Sequence, residues 1–163
     1  RLTKVTGVQT CALPICNSYG CSDQYVAAIW SVQANKELAP IVASIYGNDP
    51  NVKIKATIIL SGDLARTATK TTPTYDQAKG YESGFHYKLE VGIVGISRDG
   101  FWSEARKATE IRSQLQASGI KSLSLDADVD VSDGTKYFCS TSHYENKNKF
   151  PDNINSCYKR EDD

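Results

Sequence analysis

No run of apolar residues in this chain approaches the ~20 that a membrane-spanning helix needs, which excludes a helical span at the level of sequence. Neither charge is in excess: 19 Lys and Arg stand against 19 Asp and Glu. With no concentrated basic patch, nothing invites a nucleic-acid partner. Histidine is scarce, only His86 and His143 being present, and no Cys-x-x-Cys pair occurs, so an ordinary structural zinc site is excluded. Gly92, Gly95 and Gly100 form neither a GxGxxG nor a Walker pattern, and no Gly-x-Ser-x-Gly elbow exists. There is no Asn-x-Ser/Thr sequon, no fixed-period repeat and no low-complexity block. No cofactor is expected.

Part of what is present is not expected to be protein in origin. The run from Val5 to Ile15 back-translates, residue for residue, into the indexed adapter used in short-read DNA sequencing, and the adapter's upstream bases accommodate Arg1 to Lys4. Residues 1–15 are therefore read as an adapter-derived artefact and set aside from fold reasoning. The native N-terminus, and any signal peptide, is expected upstream of Cys16. Without Arg1 and Lys4 the Lys and Arg count falls from 19 to 17, a net charge of −2. Cys16 to Asp163 is the length of one domain with a real core: residues 16–139 as an α+β domain, and residues 140–163 as a polar C-terminal tail tethered by a disulfide.

Setting aside Cys11 leaves Cys16, Cys21, Cys139 and Cys157, two at each end of the domain. That placement predicts two disulfides formed in an oxidising compartment, secreted or periplasmic, with the pairing left open.

Ser22 is the expected N-cap of a helix whose apolar face carries Tyr25, Ala28, Ile29, Val32 and Leu38, ended or kinked at Pro40. Val52 to Leu60 alternates as a half-buried strand with Lys53, Lys55 and Thr57 outward. The Thr-rich stretch from Ser61 to Gly80 reads as a mobile loop or hairpin arm. A second strand runs from His86 to Ile96 with Tyr87, Leu89, Val91 and Ile93 inward. Ser103 is expected to cap a helix presenting Ala105, Ala108, Ile111 and Leu115, closed by Gly119, with Phe101 and Trp102 anchoring its start. Leu123 to Val131 alternates most cleanly, and Thr135 to Cys139 returns as a short strand.

Each strand has one apolar face and each helix one apolar stripe. The expected solution is an α+β two-layer sandwich, an antiparallel sheet with two helices on one face. A strand before the first helix would complete a ferredoxin-like βαββαβ order. It would lie where the adapter sits, so its loss would leave a sheet edge unpaired.

Candidate chemistry is sparse. Asp126, Asp128 and Asp130 invite a calcium reading, but the sixth and twelfth positions of that loop hold Val131 and Tyr137 rather than Gly and Glu. They are read as a solvated acidic face paired across strands with Lys53, Lys55 or Lys88, with loose cation binding as the alternative. His86, on the outward strand face, and His143 have no nucleophile or metal partner at informative spacing and read as surface histidines. Tyr75, Tyr81 and Tyr144 fall in polar loop contexts and, with His86, make the expected contact surface.

Two stretches stand out: Thr74-Tyr75-Asp76 followed by Gly80-Tyr81-Glu82-Ser83 leading into a strand, and Ser118 to Ser122 followed by Leu123 to Asp133. Both are similar to the SIMPL-domain family of extracytoplasmic proteins. The likeness covers Tyr25 to Asp133. It departs afterwards, where the family continues into a long Ala-rich helix and this chain runs to Cys139 and Cys157. The resemblance implies a secreted or periplasmic protein without catalytic residues.

The expectation is thus a disulfide-stapled, secreted or periplasmic domain that binds a protein or cell-surface partner. The alternatives are a secreted toxin or effector, and a small hydrolase using His86 and sheet-face carboxylates.

Overall fold

The computed structural model describes residues 15–17, 20–22, 25–68, 73–141 and 157–160. The elements are β1 (Ile15–Asn17), β2 (Gly20–Ser22), α1 (Tyr25–Tyr46), β3 (Val52–Leu60), α2 (Gly62–Thr67) and α3 (Tyr75–Ala78). They continue with β4 (Phe85–Ile96), α4 (Phe101–Ala117), β5 (Leu123–Val131), β6 (Lys136–Ser140) and β7 (Tyr158–Arg160). β1 and β2 form a separate hairpin in which Cys16 is the backbone partner of Cys21. The other strands form one five-stranded sheet in the order β3-β4-β5-β6-β7.

The architecture is the α+β two-layer sandwich, but the sheet is mixed rather than antiparallel. β4 and β5, joined through α4, pair in parallel, with Leu89 opposite Leu125 and Val91 opposite Ala127. A helical crossover returns the chain to the same end of the sheet, so its two flanking strands run the same way. A ferredoxin-like order has its first strand between these two; here they are direct neighbours, and the sheet's edges are β3 and β7. Near its end β4 takes in an extra residue at Gly95, whose φ of 77° breaks the register between Val94 and Ile96.

Register places the apolar strand positions in continuous rows on one face. Ala56, Leu89 and Leu125 form one; Val91, Ala127 and Cys139 form another. α1 packs on β3 and against α4, which packs on β5, so both helices cover this face. In α1 the buried stripe is Val26, Ala27, Trp30, Ala34 and Leu38, while Ala28 and Val32, expected to be inward, are exposed. Trp30 decides the face: burying its ring outweighs burying a valine. Ser22 lies in β2 rather than capping α1, and the helix runs on through Pro40, which sits on its exposed side. α4 begins at Phe101, two residues before the expected Ser103 cap. Phe101 is buried as an anchor; Trp102 is 48% exposed and does not share that role. Gly119, with φ of 101°, ends the helix as expected.

The stretch from Ser61 to Gly80 is not simply a loop. Thr74 caps α3 through a reciprocal capping box with Gln77. This turn drives Tyr75 into the core, its ring centroid 6.4 Å from Trp30 and 6.0 Å from Phe85. A disulfide joins Cys139 of β6 to Cys157, immediately before β7. Among the described residues no helix is long and apolar enough to cross a membrane.

Candidate functional site

The sheet face away from the helices bears polar side chains from every strand of the five-stranded sheet. Register sets them in rows: Lys53, Gly92, Asp128, Phe138 and Tyr158 across all five strands, and Lys55, Glu90, Asp126 and Ser140 beside them. The rows are laced by charge. Lys55 lies 3.3 Å from Glu90, and Lys88 lies 3.3 Å from both Glu90 and Asp126. Thr57 donates to Glu90 at 3.1 Å, and Ser140 donates to Asp126. Burial raises the Glu90 carboxyl, but its bonds to Lys88, Thr57 and Lys55 outweigh that and hold it below the usual range. Burial likewise lowers the Lys88 ammonium, and the bonds to Asp126 and Glu90 more than reverse the effect.

A depression of about 460 Å³ opens in this face. Its floor is at Gly92, its walls are Lys53 and Lys55 on one side and Asp128, Phe138 and Arg160 on the other, with Glu90, Lys88 and Asp126 along its length. Arg160 reaches back from β7 to Asp128 at 2.5 Å and lies over the Phe138 ring, 5.3 Å from its centroid. Among the described residues, Lys53 is the lining cation with no carboxylate at salt-bridge distance.

Gly92 creates the depression without being required by the backbone. Its φ is not in the left-handed region, and a Cβ there would meet only the Lys53 carbonyl oxygen at 3.6 Å and the Lys53 Cβ at 3.9 Å, ordinary contacts. Glycine inside a strand is unfavourable, since it adds unfolded-state entropy and packs nothing. Here its structural consequence is empty space.

His86 stands further along the same face, half-buried. Its Nδ1 lies 2.9 Å from Ser122 Oγ and its Nε2 2.8 Å from Ser124 Oγ. Each serine hydroxyl can either donate or accept, so the pair satisfies both ring nitrogens. Burial pushes its pKa below the ordinary value, with Asp126 opposing and Lys88 adding to the shift. The sequence offered no nucleophile near His86; the parallel register of β4 and β5 supplies two hydroxyls. A serine-histidine pair of this kind works as base and nucleophile when a carboxylate holds the second ring nitrogen. Here Ser122 occupies that nitrogen.

The other expected site residues are dispersed. Tyr75 is corrected to a core residue: it is buried, and its hydroxyl donates to Glu37 at 3.3 Å. Burial pushes that hydroxyl's pKa well up, and Glu37 adds to the effect. Tyr81 is 40% exposed and lines a separate recess of about 530 Å³ with Asp63, Leu64 and Pro73, which shares no lining residue with the sheet-face depression. Tyr144 and His143 lie outside the described residues. Asp126 and Asp128 face Lys88 and Arg160, while Asp130 sits opposite Lys136 in register. Among the described residues no group of three or more His, Cys, Asp or Glu is placed to hold a metal ion. Comparison with protein families, with curated proteins and with solved structures finds no match to this chain.

Proposed function

We propose that this chain is a secreted or periplasmic binding domain that takes a short extended peptide segment of a protein or cell-surface partner across the open sheet face. The observation that carries this is Gly92: a glycine in the middle of a strand, needed by neither backbone nor packing, whose effect is to hollow the face. Strand stability given up at a concave surface is the pattern of a site kept open for a ligand. The edges favour the face over strand addition. β7 is three exposed residues, and the β3 edge is closed by side chains of α1.

The lining indicates the ligand chemistry. Lys53 offers at one end an ammonium with no carboxylate at salt-bridge distance among the described residues, and the half-buried Phe138 ring offers a planar apolar surface at the other. An acidic side chain and an apolar or aromatic one, a few residues apart, match these two positions. Selection of a displayed random-peptide library on the oxidised protein tests this. Selected peptides should pair an acidic residue with an aromatic one, and should lose at least about tenfold in affinity for Gly92→Leu. Equal binding by Gly92→Leu refutes the site.

The compartment is part of the same proposal, supported by the Cys139–Cys157 disulfide and by the likeness of residues 74–83 and 118–133 to SIMPL-domain proteins. A non-reducing mass map from the native host should link Cys139 to Cys157; free thiols at both would remove the compartment claim. We also propose that residues 1–15 derive from adapter DNA. A parent genomic locus encoding Val5 to Ile15 natively would overturn that.

A further inference from the structure

We propose that the Cys139–Cys157 disulfide is a latch on the depression, holding β7 in place so that its far wall is built only in the oxidised protein. This rests on the binding reading for its consequence, but its physical content stands on the sheet itself. β7 is three residues long, every one of them exposed, and among the described residues its strand partner is β6. It sits 18 residues downstream of β6 by the cysteine separation. Three pairings at a sheet edge and the surface contacts of exposed side chains such as Arg160, with no buried side chain between Tyr158 and Arg160, are a small return for ordering a strand at the end of a long connection. The covalent link removes that entropy, because Cys139 is already fixed in the core of β6.

What β7 carries is the wall. Arg160 neutralises Asp128 and covers Phe138, and Tyr158 stands opposite Phe138 in register. When the link opens, a dithiol reductant supplies two electrons and two protons. The sulfur–sulfur bond breaks, Cys139 and Cys157 become thiols, and the reductant closes to its own disulfide. With β7 released, Asp128 loses its cation and Phe138 its cover. The far side of the depression then changes from a neutral, arginine-capped aromatic surface to an open, acidic one. A partner segment with an acidic residue is held only while the latch is closed.

Amide hydrogen exchange on the full chain tests the latch without any ligand. Wild-type protein is compared oxidised and after dithiothreitol, with thiol alkylation reporting the reduction. Cys157→Ser serves as a second route that removes this link alone, leaving Cys139 as a free thiol. The β7 amides should exchange at least about tenfold faster in both, with β3, β4 and β5 unchanged. Arg160→Ala should leave β7 protected while shifting the Asp128 and Phe138 resonances. Protection of β7 that survives verified reduction overturns the latch. So does loss of protection spreading into β4 and β5, which would make the disulfide a support of the whole domain. Neither outcome touches the peptide selection on oxidised protein, so the two proposals fail separately.

Discussion

Asn35 treats Ala56 as a neighbouring strand would. Its Oδ1 accepts from the Ala56 N–H at 2.9 Å, and its side-chain amide donates to the Ala56 carbonyl at 2.7 Å. One turn earlier, Ser31 Oγ accepts from the Ile58 N–H at 2.9 Å. The outward backbone of edge strand β3 is therefore satisfied by a helix face, and the edge is unavailable for pairing at its centre. Asn35→Ala should lower stability by about 1–3 kcal/mol, since two half-buried backbone groups lose their partners. It should also promote concentration-dependent association through the bared edge. Urea denaturation and sedimentation velocity read the two effects; an unchanged midpoint with a strictly monomeric variant would contradict the edge role.

Gly92→Val should stabilise the fold by about 0.5–1 kcal/mol, because it removes a glycine from a strand interior and adds a β-branched side chain where space exists. Chemical denaturation measures this directly. A loss of stability would show that the glycine answers a packing need, and the case for a functional depression would lose its premise.

His86 lies half-buried between two serines, and burial holds its folded pKa below the ordinary 6.5. The unfolded chain takes up a proton that the folded chain resists. The contribution is therefore fully present above the unfolded pKa and is lost as pH falls through it toward the folded value. Imidazole proton resonances followed against pH, assigned with His86→Gln, should give a midpoint below 6.5 for His86. The His86→Gln variant should show a flatter decline in stability on the acid side. A midpoint above 6.5 would contradict the assignment.

At alkaline pH the tyrosines should divide. Burial holds the Tyr46, Tyr75 and Tyr87 hydroxyls well above the usual phenol range, with nearby carboxylates adding to each. These three of the nine tyrosines should ionise only with unfolding, and the stability they contribute should be lost as pH rises beyond about 10. Absorbance at the tyrosinate band, recorded beside far-ultraviolet circular dichroism, checks this. Complete ionisation before any loss of helix signal would refute it.

Much of the layer structure was legible in the chain. Alternation in Val52 to Leu60, in Tyr87 to Ile93 and in Leu123 to Val131 assigned each side chain to the face it occupies, since period two leaves little freedom once one face is buried. The Thr74-x-x-Gln77 spacing is that of a capping box, and the turn it starts buries Tyr75 inside a stretch whose composition otherwise reads as loop. Strand neighbours were not legible. Nothing local in β4 or β5 states that they pair in parallel, so the approach of Ser122 and Ser124 to His86 could not be foreseen. Nor does a three-residue strand beyond Cys157 announce itself, although it brings Arg160 to Asp128. Gly92 was visible, but only as a residue that fitted no phosphate-binding pattern; its meaning depends on what its absent side chain leaves open.

The most direct test of the binding reading is a heteronuclear NMR titration of the oxidised chain with a peptide selected on it. Resonances of Lys53, Gly92, Asp128, Phe138 and Arg160 should shift together and saturate at one affinity, and Gly92→Leu should abolish the set. Shifts confined to the helical layer or to the recess at Tyr81, with Gly92→Leu binding as tightly as wild type, would contradict it.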